Sequence, residues 1–194
     1  MSIDLAMARM VAHVMYPERE DKELKAPKPN AYAALVDACQ SNKVPLLSLN
    51  RSDQSLAPFY ASDVFRRAEA EEHAVWQQVR QEYLLVHQAF EAAGIKHVLI
   101  KSVGLAPSFP YRSDNLDVLV PLKDGRRARR LLGEFGYVEL KNIEEPHKFL
   151  FRKFHLGSTV CMLHLHEFVG WGTGFMDDAT VLADARPVAD DDAI

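Results

Sequence analysis

Two short segments of this 194-residue chain place chemically capable side chains two positions apart. The first is Asn115-Leu116-Asp117-Val118-Leu119-Val120, an apolar run of strand type. Alternation along a strand sets Asn115, Asp117 and Leu119 on one face, and Asp114, Leu116, Val118 and Val120 on the other. An amide and a carboxylate therefore point together. The second segment, Thr159 to His166, puts Val160, Met162, His164 and His166 on one face and Cys161, Leu163 and Leu165 on the opposite one. Two imidazoles pointing together, with His147 or His155 as a third, are capable of holding Zn²⁺ or another transition ion. Against this stands the commoner fate of a His-x-His pair on a half-buried strand, which is to be packed and hydrogen-bonded.

The elements that must position these residues follow from periodicity and punctuation. Met1 to Tyr16 reads as a short apolar helix, and Glu18 to Asn30 as an exposed connector rich in lysine and proline. Ala31 to Asn42 has helical spacing, and Val44-Pro45-Leu46-Leu47 follows as a buried elbow. Ser62 is placed to cap a long helix in which Val64, Ala68, Val75, Val79, Tyr83, Val86 and Phe90 form an apolar stripe, ending at Gly94. Strands are expected at Lys96 to Lys101, Leu116 to Val120, Tyr137 to Lys141, His147 to His155 and Thr159 to His166. A helix capped by Asp124 runs to Phe135 and stops at Gly136. The residues after the glycine-rich Gly170 to Gly174 are acidic and weakly periodic. The fold class is mixed α/β (α+β), with a helical region over 1–93, an α/β core over 94–170 and an extension over 171–194.

Composition narrows the function classes. A hydrophobic fraction of 48% is enough to bury a core. No segment has the roughly 20 uninterrupted apolar residues that a membrane helix needs, and Asp4, Arg9 and His13 interrupt the N-terminal run. We read neither a membrane span nor a signal peptide. Cys39 and Cys161 are far apart in apolar surroundings, as buried thiols are in a reducing compartment, so a cytoplasmic protein is expected. A net charge of −4 and a pI near 6.1 argue against nonspecific nucleic-acid binding. Arg126, Arg127, Arg129 and Arg130 read as the solvated face of a helix, and Trp76, Trp171, Phe149, Phe151 and Phe154 as packing residues.

The order of these segments resembles a bacterial nucleotidyltransferase family over nearly the whole chain. The residues that carry the resemblance are the Val44-Pro45-Leu46-Leu47 elbow before a long helix, Ala93-Gly94-Ile95, Leu99-Ile100-Lys101-Ser102, Arg112, Asn115 to Val120, Phe135-Gly136-Tyr137 and His164-Leu165-His166. The family carries Leu-Leu-Lys-Gly at the third of these, Asp-Ile-Asp-Leu-Leu-Val at the strand and Asp-Leu-His at the end. The resemblance thus maps Asn115, Asp117 and His164 onto three metal-binding carboxylates, of which only Asp117 is unchanged. His166 falls on a framework position.

What the resemblance implies is a polymerase-beta-like mixed sheet flanked by helices and a metal-dependent transfer of a nucleoside monophosphate from an NTP to a hydroxyl acceptor. Asp117 and Asn115 would hold Mg²⁺ or Mn²⁺, while Lys101, Ser102, Gly104 and Arg112 would meet the triphosphate. Magnesium favours hard anionic oxygens, so an amide at 115 and an imidazole at 164 weaken such a site. Asp114 would compensate only if a bulge turned its carboxylate toward Asp117. The alternative is a degenerate domain that binds a nucleotide or partner without turnover. Family members continue past the position of Ile194 with a helical part, so acceptor recognition is expected there.

Overall fold

The structure is a computed structural model, and it describes residues 5–16, 26–101, 115–169 and 177–186. The chain divides inside its longest helix, between Trp76 and Gln77, into two compact units, each with a core of its own.

The first unit is helical. It holds α1 (Leu5–Met15), α2 (Tyr32–Ser41), the one-turn α3 (Ala57–Tyr60) and the N-terminal half of α4 (Asp63–Ala92), joined by 3₁₀ turns at Pro29–Ala31, Leu46–Ser48 and Gln54–Leu56. Leu35, Cys39, Leu46, Leu56, Phe59 and Phe65 are fully or almost fully buried there. Phe59 meets Phe65 and Tyr32 edge-on, with centroids 5.0 and 5.5 Å apart, the arrangement that aromatic quadrupoles favour. Val44 and Leu46 make the expected elbow a buried one. His13 Nε2 lies 2.8 Å from Asp53 Oδ2. The hydroxyl and backbone N–H of Ser55, more than His13, hold the Asp53 carboxyl below its usual range.

Ser62 caps α4 as its position predicts, its Oγ accepting the Phe65 N–H at 3.2 Å. The predicted stripe is only partly buried. Ala68, Tyr83, Val86 and Phe90 are inside, whereas Val64 and Val75 are exposed and Phe65 is buried in their place. A straight 3.6-residue period drifts across thirty residues, and here one helix supplies apolar faces to two separate cores.

The second unit is a five-stranded mixed sheet with helices, an α+β arrangement. Its strands are β1 (Val98–Lys101), β2 (Leu116–Leu119), β3 (Tyr137–Leu140), β4 (Lys148–His155) and β5 (Ser158–His166). Their order across the sheet is β1-β2-β5-β4-β3. Only β2 and β5 run parallel; the other three pairs are antiparallel. The helices are α5 (Gly125–Glu134) and α6 (Asp178–Ala183). One face of the sheet turns Leu116, Val118, Phe151, Leu163 and Leu165 into a core with Tyr83, Val86 and Phe90 of α4 and Ala128 and Leu132 of α5. Lys153 Nζ reaches Glu82 of α4 at 2.8 Å and Tyr137 Oη donates to the same carboxylate at 3.2 Å.

The turns are set by glycine where the backbone requires it. Gly94, at φ +64°, ends α4 with paired bonds from its own N–H to Glu91 O and from Ile95 N–H to Phe90 O, both 2.9 Å, the geometry of a Schellman motif. β4 and β5 are joined by Leu156 and Gly157, both at positive φ, as a two-residue type I′ hairpin demands. Asp124 takes the cap position of α5 but makes no side-chain cap bond, because a 3₁₀ turn at Leu122–Asp124 leads into that helix and leaves the residue at φ −98°, ψ −11°. Helix α6 was not foreseen; its cap, Asp177, accepts from the N–H groups of Ala179 and Thr180. Of the described helices, none is long and apolar enough to cross a membrane.

Of the four clustered arginines, Arg126, Arg127 and Arg130 are exposed, as expected of a solvated helix face. Arg129 instead lies over the Phe149 ring, 4.1 Å from its centroid, and reaches Glu139 at 3.4 Å. Phe151 is buried and Phe154 is half exposed. Cys39 and Cys161 are buried free thiols.

Candidate metal centre

The sheet face away from α4 and α5 carries the polar residues of both chemically capable segments. Parallel pairing sets Asp117 beside His164 and Leu119 beside His166, and residues so paired share a face. The two segments, some fifty residues apart in sequence, thereby form one cluster. Asp117 is only 3% exposed, and a carboxylate so buried must be matched by donors or cations.

Among the described residues, three side chains supply that match. Asn115 Nδ2 donates to Asp117 Oδ2 at 2.6 Å, and His166 Nε2 lies 2.8 Å from Asp117 Oδ1. The same Asn115 nitrogen is 2.9 Å from His164 Nδ1, and His164 Nδ1 is 3.3 Å from Asp117 Oδ1. An amide nitrogen has two hydrogens, and both are used here, one toward the carboxylate and one toward the imidazole. Turning the amide over would bring its oxygen to 2.6 Å from a carboxylate oxygen, which is repulsive. His164 therefore accepts from Asn115 at Nδ1, so the single lone pair of that nitrogen is taken by this bond, with Asp117 Oδ1 3.3 Å away. An ion between His164 Nδ1 and Asp117 Oδ1 would take over that lone pair, and the Asn115 bond to His164 would have to be released.

The distances suit a metal. Bonds of about 2.0–2.2 Å in tetrahedral geometry separate neighbouring donor atoms by about 3.4 Å, close to the His164 to Asp117 spacing. His166 would need to open by about half an ångström from its present hydrogen bond, with Nε2 giving up its proton. Asp117, His164 and His166 each offer one donor atom, all within 4.8 Å of one another. The donor set is two imidazole nitrogens and one carboxylate oxygen, which suits Zn²⁺, Fe²⁺ or another first-row ion better than Mg²⁺. Asn115 would release His164 and keep its bond to Asp117 Oδ2, fixing that carboxylate so that Oδ1 faces the ion.

A cavity of about 530 Å³ adjoins the cluster and is bordered by Glu145, His147, Lys148, His166, Phe168 and Val169. That size is in the range of small-ligand sites. Lys148, which pairs with His166 across β4 and β5, bonds Glu145 at 2.8 Å. This bond holds the Glu145 carboxyl below its usual range, with lesser help from His166 and His164.

The structure thus unites three residues expected at the site, Asn115, Asp117 and His164, and joins to them His166, a framework position in the resemblance and the partner of His164 in the histidine-pair reading. Alternation had already put His166 on the face of His164; the missing information was the register that brings both to Asp117. His147 and His155 do not complete a histidine set. His147 Nδ1 lies 3.7 Å from Glu167 Oε2, and His155 pairs with Ser158 at the hairpin end of β4. The Lys101 backbone is in register with Asp117. Its side chain, and Ser102, Gly104, Arg112, Asp114 and Trp171, lie outside the described residues. Comparison with known proteins returned no match: no family model, no curated protein and no solved structure matches this chain.

Proposed function

We propose that this chain is a nucleotidyltransferase-like domain in which an imidazole, His164, and an amide, Asn115, stand where the resemblance expects carboxylates, around a single metal position. A borderline divalent ion, held by Asp117, His164 and His166, would bind the triphosphate of an NTP from the adjoining cavity. The observation that carries this reading is the Asp117 carboxylate shared between two histidines of a parallel neighbouring strand. An ion held there would supply neutralisation of phosphate charge and would help orient the α-phosphorus toward a hydroxyl acceptor. In such a transfer the acceptor oxygen would bond to that phosphorus and give its proton to solvent, the bond from that phosphorus to the oxygen shared with the β-phosphate would break, and pyrophosphate would leave.

A second reading, nucleotide binding without turnover, is favoured by one specific contact. Asn115 turns its amide nitrogen, not its oxygen, toward Asp117, so the residue that would bridge a second ion is a donor. Transfer through paired ions about 3.5–4 Å apart is then denied to the native chain.

The two readings separate in one experiment. The chain is mixed with each of ATP, GTP, CTP and UTP and with Mg²⁺, Mn²⁺ or Zn²⁺, binding is read by calorimetry, and pyrophosphate release is read in parallel with candidate hydroxyl acceptors. Metal-dependent binding lost in Asp117→Ala supports the domain assignment, and pyrophosphate release decides for transfer. Nucleotide binding that is absent, or indifferent to metal and to the substitution, removes both readings.

A further inference from the structure

We propose that His87, Glu91 and His97 form a second transition-metal site, at the C-terminal end of α4. Among the described residues this is the other place where three such side chains bring donor atoms within 4.8 Å of one another. Nothing in the proposed function uses it.

The site follows from how α4 ends. His87 and Glu91 are four residues apart, so they stand on one helix face. Gly94 reverses the chain, and His97 folds back over the last turn, its ring 5.3 Å from Phe90 and 4.9 Å from His87. The His97 side chain is only 2% exposed. Its Nδ1 lies 3.0 Å from the carbonyl of Ile95, and a carbonyl only accepts, so Nδ1 carries the proton and Nε2 is a bare lone pair. Anchoring the far nitrogen on a carbonyl is how a metal-ligating histidine is held in its binding tautomer. The bare Nε2 points at His87 Nδ1, 2.8 Å away.

Without metal, the His87 Nδ1–H donates to that lone pair and the cluster is satisfied. Binding an ion releases this one proton, and the two nitrogens move apart to about 3.3 Å, the separation set by bonds of about 2.0–2.1 Å in tetrahedral geometry. The required shift is about half an ångström, and it falls on His87, which is half-buried and stacked on Tyr83 at 5.9 Å. Glu91 has a side chain 65% exposed, with Oε1 now 3.9 Å from His97 Nδ1, the protonated nitrogen; it supplies the third donor by rotating at the rim toward Nε2, leaving the fourth position to water. The rigid donor is buried and the adjustable ones lie at the surface, where an ion enters. Two imidazoles and one carboxylate again select a first-row transition ion over Mg²⁺.

The test is Co²⁺ titration of the full chain, followed by visible absorption and equilibrium dialysis, in the native protein and in His164→Ala, His87→Ala, Glu91→Gln and the His87→Ala/His164→Ala pair. Two equivalents are expected for the native protein. One should remain in His164→Ala, with a spectrum that disappears in the double variant, and His87→Ala should weaken the second equivalent by more than about tenfold. Both His87 and Glu91 reach the surface, and circular dichroism checks that these variants are folded. Stoichiometry that is unchanged by His87→Ala, or that falls to zero in His164→Ala alone, overturns the second site. The first metal position is judged separately, by the equivalent that His164→Ala removes.

Discussion

Replacing Asn115 by aspartate converts the hydrogen bond at the centre of the cluster into a repulsion, and its size can be worked out. The amide nitrogen now sits 2.6 Å from Asp117 Oδ2, so Asn115→Asp would put two carboxylates in contact at a residue that is 3% exposed. Two like charges 4 Å apart cost about 4 kcal/mol at an effective dielectric constant of 20. Proton uptake limits the cost: keeping at pH 7 a proton on a group with an ordinary value near 3.9 costs about 1.36 kcal/mol for each of about three units, again about 4 kcal/mol. The metal-free variant should therefore lose about 2–4 kcal/mol, or very roughly 5–15 °C in melting temperature for a chain of this length. A divalent ion reverses the sign, because paired carboxylates are what Mg²⁺ and Mn²⁺ prefer. At 100 times its dissociation constant an ion returns about 2.7 kcal/mol. Differential scanning fluorimetry with 0 to 10 mM of each ion, about the range such sites need, should show Mg²⁺ raising the melting temperature of Asn115→Asp and leaving the native protein nearly unmoved. A variant as stable as the native chain without metal, and deaf to Mg²⁺, would refute the reasoning that Asn115 bridges Asp117 and His164.

Three further outcomes are expected. Burial pushes the Cys39 thiol up to about 12, with Glu72 adding to it, and burial pushes Cys161 up to about 11; at pH 8 both should resist a thiol reagent until denaturant is added, and rapid labelling of the native protein would contradict their burial. Leu156 is 92% exposed and held at φ +49°, so Leu156→Asn should stabilise the second unit by about 0.5–1 kcal/mol in urea unfolding, since asparagine tolerates that conformation. A methyl group at Gly125 would overlap the buried Glu167 side chain, so Gly125→Ala should destabilise by about 1–3 kcal/mol, and Gly125→Ala/Glu167→Ala should recover much of that loss, a coupling that independent sites would not display.

The parts of the molecule legible in the sequence are those governed by neighbours in the chain. Alternation in Asn115 to Val120 and Thr159 to His166 set the correct faces, and Ser62, Gly94 and Gly136 marked helix ends because capping and positive φ are local requirements. Strand β1 begins at Val98 and not at Lys96, since the His97 ring is turned back onto the last turn of α4. Helix α6 was missed for want of periodicity, although Asp177 three residues before Thr180 is a cap signal. The register of β2 against β5 was not legible, because it joins residues 47 positions apart, and no local pattern states which residue of one strand meets which of the other. For that reason the sequence offers Asn115 with Asp117, and His164 with His166, as two separate pairs, and only the register joins them into one cluster.

Metal occupancy of the β2 and β5 cluster is the most direct test of this account. The measurement is Zn²⁺ and Mg²⁺ calorimetry on His87→Ala, in which only this position remains to be counted, and on His87→Ala combined in turn with Asp117→Ala, His164→Ala and His166→Ala. The expected result is one Zn²⁺ in His87→Ala, bound at least about tenfold more tightly than Mg²⁺ and lost in each of the three double variants. Zn²⁺ binding that survives Asp117→Ala and His164→Ala, or no binding to a folded native chain, would contradict it.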